Sequence, residues 1–210
     1  MKTNFILSFF LIFSCSSVKQ EAEVHYEVTE QPQQYIKEIA HTAYILDKAN
    51  FLRFSFSEID SITGEWFKYL TYFSQKNNLS EQIISKTDLS DGFYGDTLLF
   101  YKNNISDKQV IIWKQEGEYW SYLNIFLFYQ GNIALIGDLS IGLDCKNCDS
   151  FNFPQSGIDV LETDEFLKIR FKEQAVYRGS ISQGNPYNSV NVKTDKLTLF
   201  YEETRSYISY

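Results

Sequence analysis

The 210-residue chain carries 19 basic against 27 acidic side chains, a formal net charge of −8. That balance excludes the basic patches demanded by nucleic-acid phosphates and gives no electrostatic adhesion to anionic lipid. Aromatic residues are abundant (15 Tyr, 18 Phe and 3 Trp) and only 3 Pro occur, which points to a β-rich body without a Pro-rich linker.

The chain opens with Lys2 and an apolar run over residues 5–13, FILSFFLIF, followed by Ser14-Cys15-Ser16. Nine residues are too few to span a bilayer as a helix, which takes about 20, so the run reads as an export signal with its cleavage region. Ile12 three before the cysteine, small Ser14 one before it, and Cys15 itself resemble the signal peptide of bacterial lipoproteins. Phe13 departs from the smaller residue usual at its position. The resemblance covers only these first residues. It implies cleavage before Cys15 and a lipid on its sulfur, with two or more acyl chains giving stable anchoring. An ordinary secretory signal, cut after Ser16 or Ser17, is the alternative.

On this reading residues 1–14 are a signal peptide, 15–29 a lipidated polar tether, and 30–210 a single β-rich domain. KQEAE at 19–23 looks like the short charged signals that direct some lipoproteins of the Bacteroidota to the cell surface. A plain solvated spacer has the same composition.

Pro32 opens a helical pattern in which Ile36, Ile39, Ala40, Ala43 and Tyr44 share a face, closing at 47–50. Leu52, Phe54 and Phe56 then alternate with polar residues, as a half-buried strand does. Over 64–76, Trp66, Tyr69, Leu70 and Phe73 make a helical stripe, and the segment reads as helix although its residues favour strands. From 81 onward the text is strand and turn. Residues 97–101, 109–114, 119–129, 133–143, 166–172, 175–180 and 196–202 have β character, separated by signals such as Asn103-Asn104, Glu116-Gly117 and Gln130-Gly131-Asn132. Short connections require antiparallel pairing. The expected fold is mainly β with minor α: an antiparallel sheet as sandwich or barrel, with an N-terminal helical element.

Cys145 and Cys148 are the remaining cysteine pair, and outside the cytoplasm such a pair reads as a disulfide. Asp144 and Asp149 flank it, which disfavours the depressed thiol pKa of a redox CxxC. His25 and His41 lie too far away in sequence to complete a zinc site in the usual spacing. Residues 138–165 hold Asp138, Asp144, Asp149, Asp159, Glu162, Asp164 and Glu165 against Lys146 alone. This stretch, or Asp88, Asp91 and Asp96, offers oxygen ligands for calcium, but neither has EF-hand spacing, and both read as solvated loops with no metal.

Trp113, Tyr119, Trp120 and Tyr122 surround the Glu116-Gly117 turn. Exposed rings there would stack on sugar faces, whereas strand alternation sends at least half of them into the core. The sequence contains no nucleophile elbow, zinc-protease motif, phosphate loop or dinucleotide fingerprint, and it indicates no catalytic residue and no cofactor. The expectation is a lipid-anchored protein of the Gram-negative outer membrane, facing the periplasm or the surface. It would act in binding or assembly through protein or glycan contacts. A carboxylate-dependent envelope hydrolase and a periplasmic enzyme inhibitor are the alternatives.

Overall fold

The computed structural model describes residues 23–39, 41–56, 67–75, 78–88, 95–116, 121–143, 157–172, 175–180, 189–194, 196–202 and 205–209. In chain order, β1 (Val24–His25), β2 (Glu27–Thr29) and β3 (Gln33–Ile36) precede one 3-10 turn, Lys37–Ile39. A run of strands follows: β4 (His41–Ile45), β5 (Asn50–Phe56), β6 (Phe67–Ser74) and β7 (Ser80–Asp88). Next come β8 (Gly95–Lys102), β9 (Gln109–Glu116), β10 (Ser121–Tyr129) and β11 (Asn132–Leu143). The chain ends with β12 (Ile158–Glu162), β13 (Leu167–Phe171), β14 (Ala175–Ser180), β15 (Ser189–Thr194), β16 (Thr198–Glu202) and β17 (Arg205–Ser209).

Three antiparallel sheets stack as layers, and among the described residues none closes into a barrel. The central sheet has seven strands, ordered β15-β14-β11-β10-β9-β8-β2. One five-stranded outer sheet is β1-β12-β13-β16-β17 and the other is β3-β4-β5-β6-β7. Burial on both faces dictates the sequence of the central strands. In β9, Val110 and Ile112 pack toward the β12–β13 sheet, while Ile111 and Trp113 pack toward the β5–β6 sheet, and all four are fully buried. Such a strand reads as a continuous apolar run instead of alternating. By contrast β13, in an outer sheet, alternates: Leu167, Ile169 and Phe171 are buried, with Lys168 and Arg170 outward.

Two cores result. Leu123, Ile125, Leu139 and Ile141 meet Ile158, Val160, Ile169 and Leu199 in an aliphatic core. Phe100, Trp113, Phe126 and Phe128 meet Leu52, Leu70 and Tyr72 in an aromatic one. Strand β11 serves both because of a bulge: Ile125 pairs with Gly137 and Phe126 with Leu135, leaving Ile136 as the extra residue. Ile133 therefore faces the aromatic core, and Ile136, Leu139 and Ile141 the aliphatic one.

The segment expected to be an N-terminal helix contains only the Lys37–Ile39 turn, and its flanks are strands. Ile36 and Ala43 pack with Phe51 and Phe73 in a third small core, which a β3–β4 hairpin supplies. Residues 67–74 are a strand, not a helix: Leu70 and Tyr72 enter the aromatic core while Phe73 enters the third core behind it. The polar stretch expected to act as tether through Thr29 joins the body from Val24.

Candidate functional site

Trp113 is not at the surface. It is fully buried, lies 5.4 Å from the Phe54 ring, and donates its indole N–H to Asp96 Oδ1 at 2.8 Å. Asp96 also pairs with Lys68, whose ammonium burial pushes below its ordinary pKa. Tyr122 is 39% exposed and remains on the surface, but without Trp113 the proposed sugar platform loses an anchor. Tyr119, Trp120, Cys15, Cys145 and Cys148 lie outside the described residues. Asp144 and Asp149 of the acidic stretch also lie outside the described residues, and its described members divide. Asp159 is tied to Arg170 and Lys172 at 2.8 Å each; burial raises its pKa, but these two cations outweigh that and hold the carboxyl low. Burial raises the Asp138 carboxyl instead. Among the described residues no three His, Cys, Asp or Glu side chains converge as metal ligands.

What the structure does assemble lies at the end of the molecule where β10 turns into β11. Gln130 and Gly131 have φ of 51° and 73°, the left-handed pair of a two-residue hairpin loop. This hairpin and the β8–β9 connection extend the central sheet as a wall, with a cleft on each side. Successive residues alternate between the two: Phe128 and Gln130 line one, Leu127 and Tyr129 the other.

The larger cleft, about 820 Å³, lies between the wall and the β4–β5 turn. Its frame is already bonded. Asn50 Nδ2 donates to both Asp47 carboxylate oxygens at 2.7 and 2.8 Å, and the Tyr72 hydroxyl lies 2.5 Å from Asn50 Oδ1 and 2.8 Å from Gly131 O. Gln109 donates to Leu46 O at 3.0 Å and accepts from Gln31 at 3.0 Å. Asn50 and Gln109 are buried, so these bonds satisfy groups that would otherwise destabilise the fold.

The smaller cleft, about 400 Å³, lies between the wall and the β12–β13 turn. Glu162 stands at its back. Its Oε2 accepts from the Tyr26 hydroxyl at 2.9 Å and Asn103 Nδ2 at 2.8 Å, and its Oε1 from the Lys108 ammonium. Burial, then the neighbouring carboxylate, pushes the Tyr26 phenol far above its usual pKa. Asn103 Oδ1 accepts from the backbone of Ile105 (2.7 Å) and Ser106 (3.2 Å), so residues 103–108 form a braced loop with Ile105 81% exposed at its tip. On the opposite lip, Thr163 N donates to Phe166 O at 2.9 Å and Thr163 Oγ1 accepts from Phe166 N at 3.2 Å, which fixes the turn displaying Asp164 and Glu165. Tyr129, 37% exposed, with half-buried Phe166 and Tyr201, supplies ring surface.

Sequence reasoning registered Glu162, Asp164 and Glu165 only as part of an acidic run, and Tyr129 as a strand end. Tyr26, Lys108 and Tyr201 gave no signal, because the cleft draws on the chain from residue 26 to residue 201. No family model matches this sequence, and neither the curated proteins nor the solved structures yield a match.

Proposed function

We propose that this chain is an exported lipoprotein, anchored through Cys15 at the outer membrane, whose body works by binding a protein or glycan of the envelope. The observation that supports binding best is the bonded frame of the two clefts. Asn50, Tyr72, Gln109 and Glu162 are each held by partners from another segment, so the end is rigid before any ligand arrives. Preorganisation of this kind lowers the ordering cost of association.

The anchor fits the same end. Val24, the first strand residue, pairs with Glu162 at the back of the smaller cleft. Eight residues lie between Cys15 and Val24, nine steps that reach about 30 Å when extended. A lipid on Cys15 would keep the clefts close to the membrane and to molecules displayed there.

The test is metabolic labelling with an alkyne fatty acid in a Gram-negative host with a lipoprotein pathway. The wild-type chain should label and fractionate with membranes, while Cys15→Ser should not label and should accumulate unprocessed. An unlabelled wild-type chain would refute the anchor.

A further inference from the structure

The smaller cleft combines two features that sugars require together. Pyranose rings offer an apolar C–H face that packs on aromatic rings and an equatorial belt of hydroxyls that donate to carboxylates. Tyr129 rises from the wall and Phe166 and Tyr201 from the opposite side, while Asp164 and Glu165 sit on the lip, without an ion pair among the described residues. The volume, about 400 Å³, is in the range of small-ligand clefts and suits roughly one or two sugar rings. Charge narrows the class. Lys108, the basic residue of the lining, is held by Glu162 and lies 5.4 Å from the Tyr129 ring centre, so among the described residues the charge of the lip is uncompensated.

We infer that this cleft binds a neutral glycan and repels acidic ones. The inference rests on the binding reading above and names the ligand class. Glu162 is a positioning residue: it braces Lys108 and the 103–108 loop, leaving Asp164 and Glu165 to meet hydroxyls. Because the tether joins the fold beside Glu162, the same sugar chemistry could come from a glycolipid headgroup in the anchoring membrane or from a free oligosaccharide.

The experiment uses the full chain, extracted from membranes in a detergent without a sugar headgroup. It is presented to immobilised oligosaccharides built from neutral hexoses or N-acetylhexosamines, to uronic-acid oligosaccharides, and to vesicles carrying a neutral dihexosyl lipid. Binding to a neutral probe, at least tenfold weaker for Tyr129→Ala and for the Asp164→Asn/Glu165→Gln pair at unchanged melting temperature, is expected. A preference for vesicles assigns the source to the glycolipid, and a preference for free chains to the oligosaccharide; either supports the site. Uronic-acid chains bound as tightly as neutral ones, neutral binding that survives both variants, or no binding to any neutral probe would overturn it. Fatty-acid labelling of the same preparation reports separately on the anchor, so the two proposals fail independently.

Discussion

The two faces of the central sheet solve the same burial problem with different residues. Toward the β12–β13 sheet the contact is mainly aliphatic: Val110, Ile112, Ile125 and Leu139 against Val160, Ile169 and Leu199, with Tyr26, Tyr101 and Phe171 among them. Toward the β5–β6 sheet it is aromatic: Phe100, Trp113, Phe126 and Phe128, joined by Tyr44 and Phe54. Aliphatic side chains close a layer densely and leave no polar atom to satisfy. Aromatic ones reach farther and carry polar tips, so the aromatic layer is pinned at both ends, by Trp113 to Asp96 at one and by Tyr72 to Gly131 at the other. The lesson is that one side of this sheet is held mainly by packing, with bonds such as Tyr26 to Glu162 and Ser206 to Ile136 O beside it, whereas on the other the core rings themselves carry the bonds.

The strongest way to break that comparison is Trp113→Ala. It removes a fully buried indole and should destabilise the protein by about 3–5 kcal/mol in urea denaturation. Trp113→Phe keeps one aromatic ring but loses the second ring of the indole and the bond to Asp96, and should cost about 1–3 kcal/mol. Equal losses for the two variants would mean that the polar tip, not the ring, anchors this face. A loss below about 1 kcal/mol for Trp113→Ala would show that the aromatic layer does not carry stability.

The β class, the antiparallel pairing and the β9–β10 and β10–β11 hairpins were legible, because alternation and turn residues are local signals. The two helices misread in the sequence share one cause. Leu70, Tyr72 and Phe73 are all buried because β6 is covered on both faces, and adjacent apolar positions then imitate a helical stripe. Ile36 and Ala43 imitate a helix from opposite arms of a hairpin. The unbroken apolar runs in β8 and β9 carried the better clue, since only a middle layer needs them. The cleft was illegible for a different reason. Tyr26, Lys108, Tyr129, Glu162 and Tyr201 meet only through the order in which the strands pair.

On the aliphatic face the sharpest test is Gly137, which lies just past the bulge. A Cβ there would fall 2.5 Å from Leu199 Cδ2 and 3.5 Å from Ile125 Cδ1. Leu199 is itself buried among core residues and has little room to retreat. Gly137→Ala should therefore cost roughly 1–3 kcal/mol, as overpacking does. In a Leu199→Ala background the same change should cost less, with a coupling of at least about 0.5 kcal/mol in the double-mutant cycle. If Gly137→Ala is neutral, the aliphatic layer is looser than its composition implies.

The smallest effect is expected where the aliphatic face acquires a polar tip of its own. Tyr26 packs with the aliphatic core, yet its hydroxyl donates to Glu162, so it tests whether specific bonds matter on this side too. Tyr26→Phe should cost about 1 kcal/mol near neutral pH, below the usual range for a charged acceptor, because Glu162 keeps Asn103 and Lys108. The pH dependence gives the second readout. Burial and the Glu162 carboxylate raise the folded-state phenol above its ordinary value near 10. Below pH 10 both folded and unfolded states keep the proton, and the stabilising contribution is complete. Above pH 10 the unfolded tyrosine releases its proton while the folded one holds it, so the wild type loses stability as pH rises. Phe cannot titrate, and the gap between wild type and Tyr26→Phe should narrow from pH 10 upward in denaturation curves. Burial, then Asp159, raises the Tyr101 phenol in the same way, so an alkaline decline should persist in the Tyr26→Phe protein. A gap that stays constant from pH 7 to 11 would show that the Tyr26 phenol is not held protonated beyond its ordinary range, and no gap near neutral pH would show that its bond to Glu162 adds nothing to the packing.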